Sequence, residues 1–291
     1  MLYCAHHDNV FALAWSPDGH SLASAGRDQI VRIWRAHDGQ DMHIYREHRH
    51  PVLALAWSPD GRQLASGDTA GNISIWRVED GKQLLTYCGH RRFVRCIAWS
   101  PDSSLIASSG DFGDSTVQVW HAQSGLQLAT STDLYRIFVV CWSPDGQRLA
   151  ACSFADGVHT WRARQHDQRC IYTGHSGPVY TLAWAPDGRS LASSGQDGQV
   201  HIWEDQSRRE RLIYRGHSQA TKALAWSPDG SLIASGGDDT TLRIWQTTNG
   251  EDVLLDEGHD RWIRALCWSP DGQRVASASG QTIRIISLER P

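Results

Sequence analysis

Seven short apolar runs, each ending in Trp, punctuate the chain: FALAW, LALAW, RCIAW, FVVCW, YTLAW, KALAW and RALCW. After every one the polarity switches at once to Ser-Pro-Asp or Ala-Pro-Asp, in most repeats followed by Gly. Pro at the second position and Gly where a left-handed conformation is easiest describe a tight turn. A second apolar run, most often containing Leu-Ala-Ser, comes next, then a polar turn and a third run that typically closes on Ile-Trp. The sixth repeat shows the whole plan, with strands predicted over 222–226, 232–235, 242–245 and 252–255. Four short strands separated by turn signals about every 8 to 12 residues describe one antiparallel blade. The apolar runs do not alternate with polar residues, which predicts inner strands buried on both faces between neighbouring blades. Blade-on-blade packing is therefore expected to hold the fold together.

The pattern repeats with little drift. The Trp residues that end the first run are Trp15, Trp57, Trp99, Trp142, Trp184, Trp226 and Trp268, at intervals of 42 residues with a single 43. A second Trp follows after 19 residues in five repeats and after 21 in the third, and the seventh has Ile286 instead. A period in the low forties with these signals is that of a propeller. The expectation is an all-β, seven-bladed β-propeller of four-stranded antiparallel blades, a single domain over residues 1–291.

Composition changes this picture little. The formal net charge of −4 gives no reason to expect nucleic acid or an acidic membrane surface as partner. No apolar run approaches the roughly 18 residues of a membrane helix, and the first ten residues do not read as a signal peptide. Seven Cys with no Cys-x-x-Cys pair are read as reduced thiols of a cytoplasmic protein. No phosphate loop, metal-ligand spacing or paired carboxylates stand out, so no cofactor, metal or catalytic residue is expected.

Gly-His, Trp-Ser-Pro-Asp-Gly, Leu-Ala-Ser, a turn Asp and Ile-Trp together resemble the WD-repeat β-propeller family over essentially the whole chain. The resemblance implies that a His, a Ser, an Asp and a Trp of each blade hydrogen-bond together. Four blades carry the full set: His6, Ser24, Asp28 and Trp34; His90, Ser108, Asp114 and Trp120; His175, Ser193, Asp197 and Trp203; His217, Ser235, Asp239 and Trp245. By spacing, blade two keeps His48, Ser66 and Trp76 but has Ala70 at the Asp position, and blade seven keeps His259 and Ser277. Blade four has Asp133, Ala151 and Ala155 for His, Ser and Asp and keeps only Trp161, which puts its rigidity in doubt. A recurring Ser-His-Asp set could pass for catalysis. One activated nucleophile beside an oxyanion hole is what catalysis needs, and a set present in four blades and degraded in three is structural.

The chain starts on the equivalent of a fourth strand and stops after a third. Residues 1 to 5 are thus expected to complete blade seven and remove its exposed edge. The resemblance also implies a partner-binding face, formed by the loops after Gly-His and the loops holding the turn Asp. It places there Phe11, Leu53, Arg95, Phe138, Tyr180, Lys222 and Arg264, five past each His position, with Arg27 and Phe154 before turn-Asp positions. Loop tips add Phe93, Arg136, Arg261 and Trp262; Trp262 alone among fourteen Trp lies outside the repeat frame. A two-residue insertion in blade three, SSGDFGDST, adds Phe112. Aromatics mixed with Arg are the composition of interface anchors.

The expected function is a non-enzymatic, monomeric scaffold that binds a protein or peptide, of acidic or phosphorylated character, on this face. The alternatives are a sensor module of a larger bacterial protein of kinase or nucleotidase type, and an engineered or amplified repeat protein without a specific ligand. An enzyme using the central channel is disfavoured, because the inner runs offer no convergent acids or His.

Overall fold

The computed structural model describes residues 2–3, 6–155, 157–164 and 167–288. It consists of seven four-stranded antiparallel sheets, and no helix occurs among the described residues. In blade one the strands run Val10–Trp15, Ser21–Gly26, Val31–Arg35 and Asp41–Tyr45, from the channel outwards. The inner strands pack side by side round a closed ring, blade one against both blade two and blade seven.

The two recurring Trp residues have different work. In five blades the first donates from Nε1 to a carbonyl on the inner strand of the preceding blade: Trp57 to Ala14, Trp99 to Ala56, Trp142 to Ala98, Trp226 to Ala183 and Trp268 to Ala225, at 3.0–3.2 Å. It pins blade to blade. The second is fully buried inside its blade and, in blades one, two, three, five and six, bonds the network Ser. The tight turn between the first two strands is stitched by its own side chains. Ser16 Oγ donates to Asp18 at 2.5 Å and accepts from the Ser21 N–H at 2.9 Å, and Gly19 takes a φ of +71°.

Closure follows the expected route. Leu2–Tyr3 pairs antiparallel with Thr282–Ser287, with Leu2 opposite Arg284 and Tyr3 opposite Ile283. Of the five residues assigned to this strand, Met1, Cys4 and Ala5 lie outside the described residues. Packing adds a second fastening. An outer-strand Tyr of one blade lies against the second Trp of the next: Tyr45 on Trp76, Tyr87 on Trp120, Tyr172 on Trp203 and Tyr214 on Trp245, with centroids 4.2–4.7 Å apart. Tyr3 lies on Trp34 at 4.4 Å in the same manner. The closing strand therefore supplies blade seven with the contact to blade one that an internal outer strand would make.

Two junctions lack this pair. Ser131 stands in the Tyr position of blade three, opposite Val117, and Asp256 in that of blade six, opposite Leu242. Apolar packing still spans both, through Leu105, Val119 and Trp142 at the first and Ile244, Leu254 and Ile286 at the second. At the second, Asp256 also pairs with Arg284 of blade seven at 3.1 Å.

Candidate partner-binding site at the channel mouth

The polar network forms in the four blades expected to carry it. In blade one His6 Nδ1 lies 2.9 Å from Asp28 and Nε2 2.8 Å from Ser24, whose Oγ accepts from Trp34 Nε1 at 3.2 Å. Blades three, five and six repeat the chain of contacts from His90, His175 and His217. Burial pushes each Asp carboxyl upwards. Hydrogen bonds from the His and from backbone N–H groups outweigh it and hold Asp114, Asp197 and Asp239 at about 2. Each Ser hydroxyl is fully buried and already engaged by both the His and the Trp, so the set staples the loops.

Blades two and four correct the reading by spacing. In blade two the carboxylate is Asp68, two residues before Ala70, and it reaches His48 Nδ1 at 3.2 Å while accepting from the Ala70 and Asn72 N–H groups. That network is complete. In blade four the residue at the His position is Leu134, not Asp133. Leu134 lies 14 residues after Trp120, as His48 lies 14 after Trp34, and the following loop is one residue shorter. Leu134 is buried with Ala151 and Trp161 in one apolar cluster, while Asp133 is exposed and pairs with Arg169. Replacing His and Ser together by apolar groups leaves neither orphaned, so blade four is packed rather than loosened.

At the channel mouth the predicted face converges. A cavity of about 590 Å³ is lined by Phe11, Leu53, Arg95, Phe138, Tyr180, Lys222 and Arg264, one from each blade. Arg136, Phe154 and Trp262 complete its rim. Cations and rings interleave: Lys222 Nζ lies 3.5 Å from the Tyr180 centroid, and the Arg264 guanidinium 5.4 Å from Trp262 and 5.8 Å from Phe11. Arg136 stacks 4.0 Å over Phe112 and 4.8 Å over Phe154, which ties the blade-three insertion to the rim. Phe93 meets Phe112 at 6.0 Å. Phe112, Ser115 and Arg136 hold positive φ values of 40°, 50° and 54°, so backbone strain gathers at this edge of the mouth.

Three expected contact residues are placed differently. Phe138 is only 8% exposed and packs edge-on against Tyr180, so it forms floor rather than surface. Arg27 is exposed beside Asp8 at 3.8 Å, away from the cavity lining. Arg261 borders a separate depression with His259 and Arg284. Sequence spacing missed Asp111, buried in the insertion and 3.5 Å from Arg136.

The mouth carries more positive than negative charge. Lys222 has Asp238 at 3.6 Å and Arg136 has Asp111, whereas Arg95 and Arg264 make no ion pair among the described residues. Burial lowers the pKa of Lys222; Asp238 opposes the shift, and Arg264 and Arg95 across the mouth add to it. Arg95 is shifted downwards by burial, with Asp111 opposing and Arg264 and Arg136 reinforcing.

Comparison with known proteins decides the family. The family model described as "WD domain, G-beta repeat" (WD40) matches seven times, over residues 1–35, 39–77, 81–121, 128–161, 168–204, 208–246 and 251–287. The chain belongs to the WD40 family. WD40 propellers are typically protein-interaction scaffolds and generally not enzymes. The chain is also similar to Coronin-7 of Homo sapiens and of Pongo abelii, 47% identical over 36 residues in each case. Those 36 residues are 12% of this chain and 4% of either coronin, about one WD40 repeat.

Proposed function

We propose that this WD40 ring is a non-enzymatic scaffold holding a protein or peptide segment over the mouth of its channel. A carboxylate or phosphate of the partner would sit against Arg95 and Arg264, with its apolar flanks on Trp262, Tyr180 and Phe154. The observation that carries this reading is the convergence of unpaired guanidinium groups and exposed rings on one cavity; Trp262 is 53% exposed. Arg95 is half-buried, and a half-buried cation attracts an anion more strongly than a fully hydrated one, because less solvent screens it. Six described thiols stand free, consistent with a reducing compartment, and the cytoplasm is the proposed location.

The test is affinity capture with the wild type and with a Trp262→Ala/Arg264→Ala/Arg95→Glu variant of unchanged melting temperature. Partners held by the wild type should be lost from the variant, and those retained should elute at lower salt. Recovery of the same partners at the same salt would reject the site.

A further inference from the structure

Blade five carries a side-chain cluster that the partner site does not use. His201, on the strand Val200–Glu204, lies face to face with the network His175 at a centroid distance of 3.9 Å and an interplanar angle of 32°. Asp197 bonds His175 Nδ1 at 2.9 Å. One ligand atom from each of His175, Asp197 and His201 lies within 4.8 Å of the other two. The equivalent strand position, opposite the middle Ser or Ala of the second strand, holds Arg32, Ser74, Gln118, His159, Arg243 and Arg284 in the other blades. Of these only His159 is an imidazole, and its blade has Leu134 in place of the network His. Blade five alone sets a second imidazole against a His–Asp pair.

The surroundings of His201 are also distinctive. Its Nδ1 is 2.7 Å from the Tyr172 hydroxyl, which donates to Glu210 at 2.9 Å. A Tyr that donates to a carboxylate must accept from the imidazole, so Nδ1 carries the proton and Nε2 presents a lone pair. That lone pair faces Gln199 Oε1 at 3.3 Å, an acceptor against an acceptor as drawn. Either turning the Gln199 amide so that its N–H donates or placing a cation between them satisfies both. An outer partner that fixes the tautomer of a ligating imidazole is the usual companion of a metal site.

We propose that His175, Asp197 and His201 form a binding site for a divalent transition ion of the Zn²⁺ class, with Gln199 Oε1 or water in the fourth position. Two imidazoles and a carboxylate suit zinc or its neighbours better than calcium or magnesium, which take oxygen ligands. Binding at His175 Nδ1 displaces its hydrogen bond to Asp197; the ring proton moves to Nε2, which then donates to Ser193 Oγ, so the neutral imidazole binds with no net proton released. The ion would then join the loop after Gly-His to the turn that follows the second strand of the same blade, rigidifying that sector of the mouth near Tyr180 and Gln196.

The experiment is calorimetric titration of chelator-treated protein with ZnCl2 in two buffers of different ionisation enthalpy, on a Cys88→Ser/Cys170→Ser background. That background removes the one exposed and one of the half-buried described thiols as competing ligands. One equivalent of zinc with the same enthalpy in both buffers is expected, together with a rise in melting temperature. His201→Gln copies the side chain that blade three carries as Gln118, so it should fold while losing at least tenfold in affinity. Co²⁺ should give the visible absorption of a four-coordinate N/O site in the parent and none in His201→Gln. Equal zinc affinity in the parent and His201→Gln, or no saturable binding in the parent, would overturn the proposal.

Discussion

A single hydroxyl holds each polar network together. Ser235 Oγ is 2.8 Å from His217 Nε2 and accepts from Trp245 Nε1 at 3.1 Å, at zero exposure. Ser235→Ala orphans two buried groups at once and should cost about 2–3 kcal/mol, read as a lower melting temperature. His259 makes a separate prediction. Burial, helped by the nearby Arg284, holds its pKa down at about 4, against about 6.5 in an unfolded chain. The folded state keeps the ring neutral while the unfolded chain takes up a proton. Its contribution is thus complete above pH ~6.5 and is lost as pH falls towards 4. The network carboxylates act in a lower window, from the ordinary Asp range of ~3.8 down to about 2. His259→Gln should therefore flatten the fall in melting temperature between pH 7 and 4.5 and leave the steeper acid loss below pH 4. An unchanged slope in the upper window would show that His259 is not buried as a neutral ring.

Single elements differ in how visible they were along the chain. The inner runs and their Trp-Ser-Pro-Asp turns were legible because each is local and recurs seven times. The closing strand was legible as a leftover: a fourth strand at one end and a missing one at the other. Removing residues 1–5 should lower the melting temperature substantially, since it exposes the edge of Thr282–Ser287 and uncovers Trp34. Tyr3→Ala separates the two effects. It keeps the backbone pairing and should destabilise to a similar degree as Tyr45→Ala, whose ring makes the same kind of contact between blades one and two. Blade four was the hardest to read. Counting back from Trp142 gives Asp133 for the network His, whereas counting forward from Trp120 gives Leu134, because a one-residue deletion in a loop is invisible to spacing taken from one side. Asp68 escaped for a related reason: it reaches His48 from the end of a strand rather than from the turn, a choice that side-chain reach allows and residue counting cannot show.

At the scale of the whole molecule, seven individually unremarkable positions become a site because the ring brings the same place of each repeat to one axis. Arg95 belongs to blade three and Lys222 and Arg264 to blades six and seven, yet across the mouth Arg264 and Arg95 both push the Lys222 pKa down, and Arg264 pushes that of Arg95 down. Distance along a ring and distance across it are different quantities, and a linear reading has access only to the first. The unequal junctions have a mechanical consequence. Tyr–Trp pairs weld blades four to six into one arc and blades seven, one, two and three into another. Each such pair contributes about 1 kcal/mol beyond its buried area, so the unwelded junctions at Ser131 and Asp256 are the softer ones. They lie three blades apart in a ring of seven, close to a diameter. The easiest deformation is a clamshell flexing of the two arcs about that line, and amide exchange should be fastest in the outer strands at Gln127–Ser131 and Asp252–Asp256. Arg95 and Arg264 ride on one jaw, Tyr180 and Lys222 on the other, so a partner that bridges them would set the aperture of the ring.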